Sequence, residues 1–160
     1  MFMPVHHVRR IALAALAACA LVLAACGGED DQAFIDASKK VTTEISDIGE
    51  DIGTTVSGAA SQDDAELERQ FTELADRAGK AVDDLDALDP PSEDTETTVN
   101  DLSSALTKGQ KDLESIAAAA GDSDAAAARS ATEELVKDSP AISAGNKKLK
   151  EQTEELESES

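Results

Sequence analysis

The sequence has no tryptophan and no tyrosine, and only two cysteines, two histidines and four prolines in 160 residues. Without indole or phenol rings it offers nucleic-acid bases little to stack on. Both histidines, His6 and His7, and one cysteine, Cys19, stand among residues 1–25, so Cys26 is the only thiol after them. If residues 1–25 are cut away, what remains can build no disulfide, no Cys/His zinc set and no Cys–His or Ser–His catalytic pair. Carboxylates, hydroxyls, amides and basic side chains are the groups left, which makes an enzyme the least favoured class. Positive charge is also short: 14 Lys and Arg stand against 34 Asp and Glu, a net charge of −20. Such a chain repels phosphates, because binding nucleic acid through counterion release needs clustered Lys and Arg. A charged partner is therefore expected to be cationic, and no cofactor is indicated.

Long apolar runs are scarce too. The one present, Ile11 to Ala25, follows Arg9-Arg10 and ends in Leu23-Ala24-Ala25-Cys26-Gly27. It is shorter than the ~20 residues that a membrane span needs. A basic start, a short apolar stretch and small residues before a cut make the layout of a secretory leader. Leu23-Ala24-Ala25-Cys26 has the form of a lipobox, in which small residues let a membrane peptidase cut just before a cysteine that carries diacylglycerol. Residues 1–27 thus resemble the export and lipidation signal of bacterial lipoproteins, and the alanine-rich leader resembles actinobacterial ones. The resemblance implies that Leu23, Ala24 and Ala25 are read by the peptidase and that Cys26 is the fatty-acylated first residue of the mature protein. It also implies a lipid-anchored place in the cell membrane, on the extracytoplasmic face, or in an outer envelope layer. It covers the leader alone. Arg9-Arg10 leaves Sec and twin-arginine export both open, and an uncleaved anchor helix is the competing reading.

Low apolar content with high net charge is a mark of disorder, so order has to come from pattern. The pattern is helical over four segments. Residues 26–31 form the acylated cysteine and a flexible tether. A first helix from about Asp31 to Ala59 carries Phe34, Val41, Ile45, Ile48, Ile52 and Val56 on one stripe, with Gly49 and Gly53 as either close-approach points or weak points. Ser61 to Asp64 can cap a second helix running to about Leu88, whose Leu67, Phe71, Leu74, Ala78, Ala81, Leu85 and Leu88 keep a heptad seam. Asp89-Pro90-Pro91 stops it. Ser92 opens a third, with Val99, Leu102, Leu106, Gly109, Leu113, Ile116 and Ala120 in register and Gly121 placed as the left-handed closing residue. In the fourth, Ala128, Leu135, Ile142, Leu149 and Leu156 keep phase through Pro140, which favours one kinked helix over two separate ones, although Gly145-Asn146 is a second weak point. Helices of similar length joined by short turns run antiparallel to their neighbours. The expected fold is all-α: an up-down-up-down four-helix bundle over 32–157, behind a signal peptide at 1–25 and before a disordered tail at 158–160.

Candidate sites are few. Asp122, Ser123, Asp124 and Glu133 have the ends of a calcium loop, but Ala126 and Ala127 stand where a ligand and the turn glycine belong, so helix capping is the better reading and no metal site is assigned. Asp83, Asp84, Asp86 and Asp89, with Glu93, Asp94 and Glu96 beyond the prolines, are either a loose divalent-cation site or a solvated acidic face. Lys137, Lys147, Lys148 and Lys150 are either a headgroup contact or, in the pairs Lys147–Glu151 and Lys150–Glu154, self-neutralised. Gly79-Lys80 lacks the rest of a phosphate loop. Crowded carboxylates should repel one another and have raised folded-state pKa values, which would favour the fold as pH falls. The function these features favour is a lipid-anchored, non-catalytic interaction or spacer module with a protein or cationic envelope partner. The alternative is a carrier of a lipid-like ligand or divalent cation, and a cavity between the helices would favour it.

Overall fold

Asp63, in extended backbone, accepts a hydrogen bond on its side chain from Glu66 N at 2.8 Å and so starts a helix. Ser92 does the same one helix later, accepting from Thr95 N at 3.2 Å. The computed structural model describes residues 28–159. They form α1 (Gly28–Gly58), α2 (Asp64–Asp86), α3 (Glu93–Gly121) and α4 (Ala125–Glu159), with a short 3₁₀ turn at Ala59–Ser61. The leader, with Leu23, Ala24, Ala25 and Cys26, lies outside the described residues, as does Ser160. No described helix is long and apolar enough to cross a membrane.

Inter-helix contacts fix the directions. A Cβ at Gly121 would meet Glu68, one at Gly79 meets Gln110, and Ser103 donates to Asp86 at 2.7 Å, so each step forward on α2 is an equal step back on α3. Gly109 faces Ile142 and Gly145 faces Leu102, which sets α4 antiparallel to α3. Arg77 of α2 reaches Glu44 and Asp51 of α1, and Lys39 of α1 reaches Glu157 near the end of α4. The result is the expected all-α bundle, up-down-up-down. α3 packs closely on α2 and α4, while α1 closes the ring more sparsely against the same two helices.

Every seam residue read from the sequence of α3 is buried, and in α2 Phe71 to Leu85 are buried with Leu67 and Leu88 at the partly covered ends. α1 departs from its single stripe. Ile35, Ser38 and Thr42 are buried beside Phe34, Val41, Ile45 and Ile48, whereas Val56 is exposed at 44%. Its helix also begins at Gly28, inside the stretch expected to be a tether, and α4 runs to Glu159, through two residues of the expected tail. α2 stops two residues early, at Asp86, because Ala87 N and Leu88 N bond back to Asp83 O and Leu85 O in a closing turn.

Two further differences have clear local causes. Gly121 is not the left-handed closing residue: it stays helical, and Ser123 takes φ 54° instead. Asp124 N reaches Ala119 O at 2.8 Å and Ser123 N reaches Ala120 O at 3.0 Å, the paired bonds of a Schellman closure centred on Ser123. Gly49 and Gly53 are not close-approach points, since a Cβ on either would meet nothing within 4 Å; the close approaches fall at Gly109 and Gly145. α4 is one continuous helix through Pro140. The carbonyl that the proline cannot serve belongs to Val136, a residue 66% exposed. Beside it the Ser139 hydroxyl donates to Leu135 O at 2.7 Å.

Candidate functional site

Halfway along the bundle the core is incomplete. A cavity of about 330 Å³ opens between α1 and α4 and reaches α2 and α3. Its floor is Ala78, Leu106, Gly109 and Leu113, all buried, and exposed Ser46, Gly49, Ser139 and Ser143 stand at its mouth. Local sequence explains the gap. α2 offers only the methyl of Ala78 here, while Gly49 leaves α1 bare at the same level. Gly109 does not add to the void directly, because Ile142 Cδ1 already lies 2.9 Å from where its Cβ would be. The sparse contact of α1 with its neighbours leaves the remainder unfilled.

The wall between α1 and α4 is polar above the cavity. Asn146, 8% exposed, donates through Nδ2 to Thr42 O and to Ser46 Oγ, both at 3.1 Å. Ser46 in turn donates to Thr42 O at 2.9 Å, so its proton is committed. The oxygen of the amide, Asn146 Oδ1, is buried without a hydrogen-bond partner. A buried acceptor left so costs ~1–3 kcal/mol relative to a paired one. Sequence reading treated Gly145-Asn146 as a weak point in the helix and missed this amide. The available signal was position: Asn146 sits four residues after Ile142 and three before Leu149, in the second lane of the seam, and Ser38 and Thr42 fill the matching lane of α1.

None of the residues lining the cavity is ionisable. It can therefore hold a molecule but has no acid or base with which to move a proton.

The remaining candidates are dispersed. Asp86 accepts from Ser103, Asp84 lies 4.0 Å from Lys40, and Asp94 is held by Lys148 at 3.4 Å and Gln152 at 2.6 Å. The acids around the α2–α3 turn thus spend themselves on three different helices, and among the described residues no group of three or more His, Cys, Asp or Glu is placed to hold a metal ion. Asp124 caps α4, accepting from Ala126 N and Ala127 N at 3.0 Å, while Ser123 donates to Asp64 at 2.5 Å across to α2. Lys147 pairs with Glu151 at 3.5 Å, Lys137 pairs with Glu134 at 2.9 Å, and Lys150 turns instead to Ser46 Oγ at 3.4 Å.

At Asp112 burial leads and like-charge crowding adds to it. Burial first, then the neighbouring carboxylates Asp138 and Glu134, push its pKa above the usual value against the pull of Lys137. Its Oδ2 is buried and unpartnered. Glu66 goes the other way, drawn down to about 2 chiefly by its hydrogen bond from Arg69, with a smaller contribution from Gln70. No family model, curated protein or solved structure matches this chain.

Proposed function

We propose that this protein is a lipid-anchored, non-catalytic binding module on the extracytoplasmic face of the cell membrane, tethered through an acylated Cys26. The anchor rests on Leu23-Ala24-Ala25-Cys26 behind a leader-like apolar run. Between a pure spacer and a carrier, one observation favours the carrier: a cavity of about 330 Å³ in mid-bundle, lined wholly by non-ionisable residues. A spacer needs no such opening, and small-molecule sites begin at about this size. Nothing in this reading requires a cofactor, and the acidic surface argues against nucleic acid as a partner.

Cys26→Ser tests the anchor. Metabolic labelling with an alkyne fatty acid should mark the wild-type protein and leave the variant unlabelled and uncut before residue 26. A Cys26→Ser protein that remained acylated would refute the anchor.

A further inference from the structure

Only Gly27 separates Cys26 from Gly28, the first residue of α1. At 3.8 Å between neighbouring Cα atoms, α1 begins within about 8 Å of the residue read as the anchor. The antiparallel order brings two more parts of the chain to that end. Lys39 of α1 reaches Glu157 near the close of α4, and Asp94 at the start of α3 is held by Lys148 and Gln152 of α4. The base of the bundle is therefore the start of α1, the α2–α3 turn and the end of α4. The opposite end is formed by the 3₁₀ turn and the α3–α4 turn, where Ser123 donates to Asp64. Along α3, which has 29 residues, the two ends are about 44 Å apart at 1.5 Å per residue.

Nothing on the flanks invites a bilayer. Among the described residues only Val56 and Val136 are large, apolar and exposed, and they sit on different helices, so no face can sink into lipid. Arg9 and Arg10 stand in the leader, which leaves 12 of the 14 Lys and Arg against 34 acids, a net charge of −22. Seven of those 12 are in ion pairs with carboxylates. Lys147, Lys148 and Lys150, the densest basic group, are followed by Glu151, Glu154, Glu155, Glu157 and Glu159 with no further base, so the end of α4 nearest the anchor is acidic.

An anionic leaflet holds a negative surface potential that fades over a Debye length, ~8 Å at physiological ionic strength. A bundle lying on its side places a carboxylate-rich flank ~44 Å long inside that layer, whereas a bundle standing on its base places only the base there. We infer that on an anionic bilayer charge repulsion stands the bundle upright on its tether, with its base at the headgroups and its 3₁₀ and α3–α4 turns farthest out. Gly49, at the mouth of the cavity, is then held about 32 Å from the anchored end at 1.5 Å per residue of α1, so the cavity opens sideways into the aqueous envelope and away from the acyl chains. The inference rests on Cys26 as the anchor point of the preceding reading.

The test is neutron reflectometry on planar bilayers with the chain from Cys26 onward, which carries every described residue, coupled through that thiol to a maleimide lipid. This lipid supplies the anchor whether or not a cell acylates Cys26, which the labelling experiment above reads by itself, so failure of the anchor and failure of the orientation are distinguishable. On phosphatidylglycerol-rich bilayers at ~0.15 M salt the protein layer should be about 45 Å thick, the length of a helix; a flat bundle gives about 20 Å, the width of two packed helices. In ~1 M salt, or on phosphatidylcholine, the bundle is free to tilt and the layer should thin by about 10 Å. Glu73→Lys, Asp76→Lys and Asp83→Lys, at three exposed positions of α2, join Arg69 and Lys80 in one basic stripe. This triple variant, checked for an unchanged helical spectrum, should lie flat on the same anionic bilayer. A wild-type layer of about 20 Å on anionic lipid, a thickness indifferent to salt and lipid charge, or a folded triple variant as tall as the wild type would each overturn the inference.

Discussion

Gly121 and Ser123 make opposite demands of the two ways in which α3 could end, and replacing them tells which is right. In the structure Gly121 is helical and Ser123 holds the left-handed conformation at φ 54°. A side chain with a Cβ pays roughly 1–2 kcal/mol for that conformation. Ser123→Gly removes this cost and loses one exposed hydrogen bond to Asp64, so a net gain of about 1 kcal/mol is expected. Gly121→Ala should gain about 0.5 kcal/mol from propensity, reduced by its place in the last turn. The new methyl meets only the Glu68 carboxyl, 2.8 Å away, and that is the far end of a flexible, exposed side chain. For a domain of this size, 1 kcal/mol moves the melting temperature by about 3–5 °C. Thermal melts followed by circular dichroism should place Ser123→Gly clearly above wild type and Gly121→Ala level with it or slightly above. If Gly121→Ala melts lower and Ser123→Gly is unchanged, Gly121 carries the left-handed turn and the closure described for α3 is wrong.

Two further outcomes follow from the charges. Asp112→Asn should raise the melting temperature at pH 7. With a folded-state pKa above the unfolded one, the carboxylate destabilises the fold fully above its raised value and not at all below the unfolded value of ~3.9, so the gain should shrink as pH falls through that window. A constant gain from pH 7 to pH 3.5 would show that charge is not the cause. Arg77→Ala should cost about 1 kcal/mol, since Arg77 bridges Glu44 at 2.8 Å and Asp51 at 2.6 Å between α2 and α1; wild type and variant should converge in ~1 M salt, and an undiminished gap there would refute an electrostatic origin.

The seams of α2 and α3 were legible because each combines large apolar residues with one dominant lane: Leu102, Leu106 and Leu113 announce burial by themselves. The polar part of the pairing of α1 with α4 was not, because it joins Asn146 to Thr42, both buried and both of types that usually mark a solvent face. Pattern reading locates apolar lanes and passes over a polar one. The cavity was hidden for a related reason. Gly49 and Ala78 lie on different helices, and only packing brings these two small residues to one level. Nor could spacing reveal that Ser123 closes α3, because the nearby glycine is by composition the better candidate. The acids around Pro90 looked like a cluster in the sequence and dispersed in space, because each helix turns its carboxylates toward a different neighbour.

The sparse seating of α1 has a mechanical consequence. If Cys26 is held in a bilayer, any tug between membrane and bundle enters the protein at the start of α1, the helix most sparsely packed against the rest. The load runs along its axis and falls in shear on Lys39–Glu157, on Asn146 and Thr42, and on the Arg77 bridges. It falls as well on Phe34, Val41, Ile45 and Ile48, which α1 contributes to the shared core, whereas the leucines joining α2, α3 and α4 lie outside the load path. Tension on the tether would therefore act first on the helix that supplies one wall of the cavity.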